Sequence, residues 1–128
     1  MNTNNAYSAY KNNSINYASK EQLLLMLLDG AVKYAKIGRQ AILDKDISKA
    51  HTNIIKTQDI FYELLITLDH KQAGEWVEQL MAIYQFIVRR LGEANIKKDE
   101  VIIDEIIPLI EDVRDTWNEA YKLSKIAK

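Results

Sequence analysis

The stretch SKEQLLLMLLDGAVKYAKIGRQAILD, Ser19 to Asp44, decides the fold. It opens on a helix-start signal. Ser19 followed by Gln22 is a capping box: the serine hydroxyl takes one orphan backbone N–H and the glutamine reaches back to another. Apolar residues then return at spacings of three and four, which predicts one long helix over about Lys20–Asp44. On a helical wheel Leu23, Leu27, Ala31, Tyr34, Gly38 and Ala41 centre the buried stripe. Leu25, Leu28 and Val32 widen it on one side, Met26 and Ile37 on the other. Only Asp29, Lys33, Lys36 and Gln40 remain as a polar strip.

The rest of the chain repeats this pattern. One proline and four glycines in 128 residues leave little punctuation, which favours long helices over many short strands. Further helices are predicted over about Ile47–Asp69, Glu75–Ala94 and Glu100–Ile126. Asp46 and Asp99 suit the N-caps of the second and fourth. Asn95 suits the left-handed position that closes the third. Short connections force consecutive helices to run antiparallel, and rods about 30–40 Å long then make a bundle. The predicted fold is all-α: an antiparallel up-down four-helix bundle over residues 20–128, preceded by an irregular N-terminal arm at residues 1–19. The arm has six asparagines but also Tyr7, Tyr10 and Tyr17, so it reads as a segment with aromatic anchors.

Composition narrows the function. A formal charge of -1 gives no long-range field to gather nucleic acid or anionic lipid. Arg89-Arg90 and Lys97-Lys98 read as solvated helix charges. The absence of cysteine removes disulfides, zinc-thiolate sites and thiol catalysis and is compatible with a reducing cytosol. Residues 1–19 lack the basic start and apolar run of a signal peptide, and the longest apolar run, Leu23 to Leu28, is too short to span a bilayer. A cytosolic protein is expected.

Bundles often host di-metal sites, built on Glu-x-x-His pairs. Neither His51 nor His70 has a glutamate three residues before it, and Asp29, Asp59 and Glu63 read as isolated acids. No Gly-rich phosphate loop, nucleophile elbow or paired carboxylate is present. The expectation is a protein with no catalytic residue, metal or cofactor.

What remains is apolar surface. The first helix and the fourth, with Val101, Ile102, Ile103, Ile106, Ile107, Leu109 and Ile110, carry wider apolar arcs than one core needs. On the second, Ile54, Phe61, Leu65 and Leu68 point inward, while Ile55, Tyr62 and Ile66 form another stripe. On the third, Trp76, Leu80, Ile83, Ile87 and Leu91 are assigned to the core and Phe86 points away. Core packing explains any single one of these residues, since bundle helices touch two neighbours. Together they predict a groove, covered by the arm, that accepts an amphipathic helix. The candidate contact residues are Tyr7, Tyr10, Leu28, Ile55, Tyr62, Ile66, Tyr84 and Phe86. Pro108 lies inside the fourth helix and is expected to kink it.

Four segments, read in order, resemble the FliS family of flagellar secretion chaperones: AYSAY (Ala6–Tyr10), YASKEQLLLMLLDGA (Tyr17–Ala31), AIYQFIVRRLGEANIKKD (Ala82–Asp99) and VRDTWNEA (Val113–Ala120). The resemblance implies a cytosolic chaperone for the disordered C-terminal region of flagellin. It implies that binding prevents premature polymerisation and supports delivery to the flagellar type III export gate. In such proteins the tail wraps around the bundle and folds on it, and the arm occupies part of the same surface. By position, Tyr7 and Tyr10 match the arm motif, Asp29-Gly30-Ala31 the first-helix motif, Arg90, Ala94 and Asn95 the third-helix end, and Asp115 and Trp117 the fourth helix. The match implies that Gly30 permits close helix approach and that Asp115 pairs with Arg90. Leu28 and Phe86 stand where the family usually has tyrosine, so each lacks a hydroxyl. The competing class is a self-assembling structural or adaptor bundle whose excess faces are buried in a homodimer.

Overall fold

The computed structural model describes residues 19–68 and 74–126. Its elements are α1 (Lys20–Leu43), α2 (Ile47–Thr67), α3 (Glu75–Lys97) and α4 (Glu100–Ile126). The order is up-down: α1 packs on α2 and α4, α3 packs on α2 and α4, and the α3–α4 seam is the least extensive.

Local chemistry explains the helix ends. The capping box at α1 is formed: the Gln22 backbone N–H donates to Ser19 Oγ at 3.1 Å, and the Ser19 N–H donates to Gln22 Oε1 at 2.9 Å. Asp46 caps α2 by accepting from the Lys49 N–H at 3.1 Å, and Asp99 accepts from the Val101 N–H at 2.9 Å. The third helix runs past Asn95 to Lys97. Asn95 does not close it: the residue is buried inside α3, and Lys98 takes the left-handed conformation instead, with φ 49°. Lys45 does the same after α1, with φ 60°. In both turns a backbone N–H reaches back five residues, Asp46 to the Ala41 carbonyl at 2.9 Å and Asp99 to the Ala94 carbonyl at 3.3 Å, closing the helix as a Schellman turn does.

The core lies where the four helices meet, with Phe61 and Tyr84 at its centre in an edge-to-face pair, ring centroids 5.6 Å apart. Ala31, Ala35, Gly38 and Ala41 give α1 a slim inner face. The close approach it permits is at Gly38, where an added Cβ would lie 3.1 Å from Ile54 Cγ1. At Gly30 the nearest atom is Ile60 Cδ1 at 3.6 Å, an ordinary contact, so the close-approach role expected of Gly30 belongs to Gly38.

Two expectations about the apolar faces are corrected. Leu28 and Val32 of α1 are buried, as are Ile102, Ile103, Ile106, Ile107 and Ile110 of α4. The wide arcs of these helices are largely consumed by two neighbours each. Second, Leu80, Ile87 and Leu91 of α3 pack in the core as expected, but two of its expected core positions shift by one residue. Val77 and Tyr84 enter the core, while Trp76 and Ile83 stay outside. Pro108 lies inside α4, which continues to Ile126, and the proline is exposed.

Candidate partner-binding surface

The four seams differ in chemistry. The α1–α4 seam is stitched by ions: Lys36 Nζ to Glu111 at 3.3 Å, Arg39 to Asp104, and Arg114 within 4.0 Å of Asp29. The Asp115 carboxylate accepts from its neighbour Arg114 at 3.0 Å and does not pair with Arg90. Arg90 instead crosses from α3 to Glu105 of α4 at 2.7 Å and holds Glu93 at 2.7 Å.

The α2–α3 seam is stitched by neutral groups. Gln58 Nε2 donates to the Val88 carbonyl at 3.0 Å. Asn95 and His51 approach at 3.0 Å through Nδ2 and Nδ1, and Lys98 Nζ donates to Asn95 Oδ1 at 2.8 Å. An ammonium has only donors, so it fixes the Asn95 oxygen toward itself and turns the amide nitrogen to His51, whose Nδ1 must accept. The carboxylate of Asp59, half-buried on α2, is pushed above its ordinary pKa by desolvation.

Apolar side chains stand open beside this neutral seam. Tyr62 and Ile66 of α2 are exposed, Ile66 to 75%, and Ile55 on the same stripe is half-buried. On α3, Trp76 (51% exposed), Ile83 and Phe86 (40%) follow one another along the side that turns toward α4, the side from which Arg90 reaches Glu105. Leu123 of α4 is also exposed. Trp76 and Phe86 are ten positions apart, about 15 Å along the axis. Two apolar strips therefore flank the outer surface of α3.

The structure divides the sequence candidates. Ile55, Tyr62, Ile66 and Phe86 lie on this surface or at its edge. Leu28 and Tyr84 do not: they are 0% and 1% exposed. Leu28 fills the core. Tyr84 sits against Phe61, and its hydroxyl accepts from Trp117 Nε1 at 2.9 Å across the α3–α4 seam. Burial raises the pKa of that hydroxyl, partly offset by the Trp117 bond. Tyr7 and Tyr10 lie outside the described residues. Trp76 and Ile83 were missed as surface residues. A signal existed: the heptad step from Ile83 lands on Arg90, whereas the step from Tyr84 lands on Leu91, so the second phase is the one that continues into a core.

The described residues contain no group of three His, Asp or Glu side chains able to hold a metal ion. No described helix is long and apolar enough to cross a membrane.

The chain is similar to known proteins along nearly its whole length. The model of the flagellar protein FliS family matches residues 3–124. The flagellar secretion chaperone FliS of Bacillus subtilis is 38% identical over 116 residues, 91% of this chain and 86% of the relative. That of Campylobacter jejuni is 30% identical over 128 residues, the full length of both. Among solved structures, a bacterial flagellar chaperone superposes with a TM-score of 0.74 over 92% of this chain and 96% of its own, at 16% identity, which speaks for the fold. With a family match spanning the bundle and relatives aligned across it, the chain belongs to the FliS family of flagellar secretion chaperones.

Proposed function

We propose that this chaperone holds the disordered C-terminal segment of flagellin in the cytosol, prevents its premature polymerisation and supports its delivery to the flagellar type III export apparatus. The observation that carries the reading is the pair of exposed apolar strips on either side of α3, Tyr62 and Ile66 against Trp76, Ile83 and Phe86. Large exposed apolar groups at helical spacing suit a guest that folds as it binds and buries its own apolar face there. The α1–α4 seam is laced with ion pairs instead. Residues 1–19 are proposed to cover part of the same surface until the guest displaces them.

The test is calorimetric titration with a peptide of the flagellin C-terminal segment, with circular dichroism on the same samples. Binding at micromolar concentration or tighter, helix gained on mixing, and a negative heat-capacity change are expected. No binding and no helix at micromolar concentration overturn the reading. A chaperone dimer that persists on dilution and in the presence of the peptide would favour self-assembly instead.

A further inference from the structure

We infer that Arg89 is the charged recognition point of this surface, and that the segment it receives carries a carboxylate beside its apolar anchors. The inference rests on the flagellin-holding reading above. It begins with the distribution of charge. Beside the α2–α3 seam the outward groups include the uncharged Ile55, Gln58, Tyr62 and Ile66 on α2 and Gln85 on α3, with Asp59 of α2 and Glu78 of α3 as acids on the same helices, and Arg89 is the cation among them. Lys56, by contrast, turns to the α1 side of its helix, its Nζ 5.1 Å from the Tyr34 ring.

The arginine also lacks a carboxylate partner among the described residues. On a helix the acid four residues along would ordinarily neutralise it, and that residue is Glu93. Glu93 is taken by Arg90 at 2.7 Å, and Arg90 is itself anchored on Glu105 of α4. Arg39 and Arg114 likewise hold carboxylates. Arg89 holds none among the described residues, and its guanidinium carbon lies 5.3 Å from the centroid of the Phe86 ring. Phe86 is one of the exposed apolar groups of the surface. Ring and cation thus form one composite contact, apolar on one side and on the other an array of N–H donors that hold no carboxylate among the described residues.

A guest that packs an apolar side chain against Phe86 covers Arg89 as well. Covering strips water from the guanidinium, which penalises a guest with nothing to offer it and rewards one with a carboxylate at that point. The guest chemistry is therefore an amphipathic segment with Asp or Glu adjacent to the residue that meets Phe86.

The experiment measures the affinity of the flagellin C-terminal peptide for the full chain and for Arg89→Glu, Arg89→Gln and Lys33→Glu, at about 50 and about 500 mM salt. Lys33→Glu changes net charge as Arg89→Glu does, on the exposed outer face of α1. Equal melting temperatures confirm that every variant is folded. At low salt Arg89→Glu is expected to weaken binding by about tenfold or more and Arg89→Gln by about threefold, with the gap narrowing at high salt. Lys33→Glu is expected to bind as the unmodified chain does. A peptide with its acidic residues changed to lysine should recover affinity for Arg89→Glu. Arg89→Glu binding within twofold of the unmodified chain, or Lys33→Glu losing as much, overturns the inference and leaves the flagellin reading standing. If the unmodified chain binds no peptide at all, the flagellin reading fails and takes this inference with it.

Discussion

Replacing Gly30 and Gly38 by alanine, one at a time, makes the same covalent change twice in the same helix and asks for opposite results. Both positions are interior to α1, so each substitution gains about 0.5–1 kcal/mol from backbone entropy and helix propensity. What differs is the space. A Cβ at Gly30 meets Ile60 Cδ1 and Tyr34 Cε2 at 3.6 and 3.7 Å, ordinary contacts that add a little dispersion. A Cβ at Gly38 meets Ile54 Cγ1 at 3.1 Å, with the Ile54 backbone nitrogen behind it at 3.6 Å. Ile54 is fully buried and β-branched, with one strongly preferred rotamer in a helix, so it has nowhere to turn. The relief must come from α1 and α2 moving apart, an overpacking cost of about 1–3 kcal/mol. Gly30→Ala should therefore raise unfolding free energy by about 0.5–1 kcal/mol. Gly38→Ala should lower it by about 1 kcal/mol after the same propensity gain is subtracted from the cost. The assay is urea unfolding followed by circular dichroism, with thermal midpoints as a check; about 1 kcal/mol moves the midpoint of a chain this size by about 3–5 °C. A Gly38→Ala protein as stable as Gly30→Ala would refute the assignment of the close approach to Gly38.

Changing Ile66 and Phe86 to serine should leave stability within about 0.5 kcal/mol, because both are exposed, yet weaken flagellin-peptide binding by about tenfold or more. Leu28→Ala should instead cost about 2–5 kcal/mol of stability, showing in the same unfolding assay that its role is in the core. Deleting residues 1–16 should raise the binding of an apolar dye and change the affinity for the peptide; no change in either would make the arm a passive tail. For Asp59 the folded pKa lies above the ordinary value, so the fold disfavours the carboxylate. Asp59→Asn should therefore be more stable than the unmodified chain at neutral pH. The advantage should fade as pH falls through the carboxylate range, which denaturation at several pH values would show.

The parts legible in the sequence were those governed by neighbouring residues. The Ser19–Gln22 box marks the start of α1 because both partners lie within one turn, and the expected bounds of α4 match the observed ones. The end of α3 was misjudged because Asn95 is committed to His51 on another helix, a contact invisible from local propensity, and the left-handed position fell to Lys98. The exposed apolar surface was half legible. The stripe of Tyr62 and Ile66 stood out on α2 because Ile54 and Phe61 fix that core, although Leu64 is the buried leucine there and Leu65 and Leu68, expected inside, are only half-buried. On α3 two apolar phases one residue apart competed at Trp76–Val77 and Ile83–Tyr84, and only the heptad step from Tyr84 to Leu91 separates them. The excess on α1 was a matter of neighbours: a helix wedged between α2 and α4 buries residues that a wheel drawn for a single core leaves outside.

The two turns closed by left-handed lysines have a kinetic consequence. Both lie at the same end of the molecule, since α1 and α3 run one way and α2 and α4 the other. By connectivity the chain is two helical hairpins, α1–α2 and α3–α4, each closed by a few residues, with the α3–α4 seam the less extensive of the two. They are joined through residues 68–74 and meet along the neutral α2–α3 seam and the ionic α1–α4 seam. A guest lying over the exposed strips of α2 and α3 would span both hairpins, so its arrival should slow amide hydrogen exchange in α1 and α4, helices it need not touch.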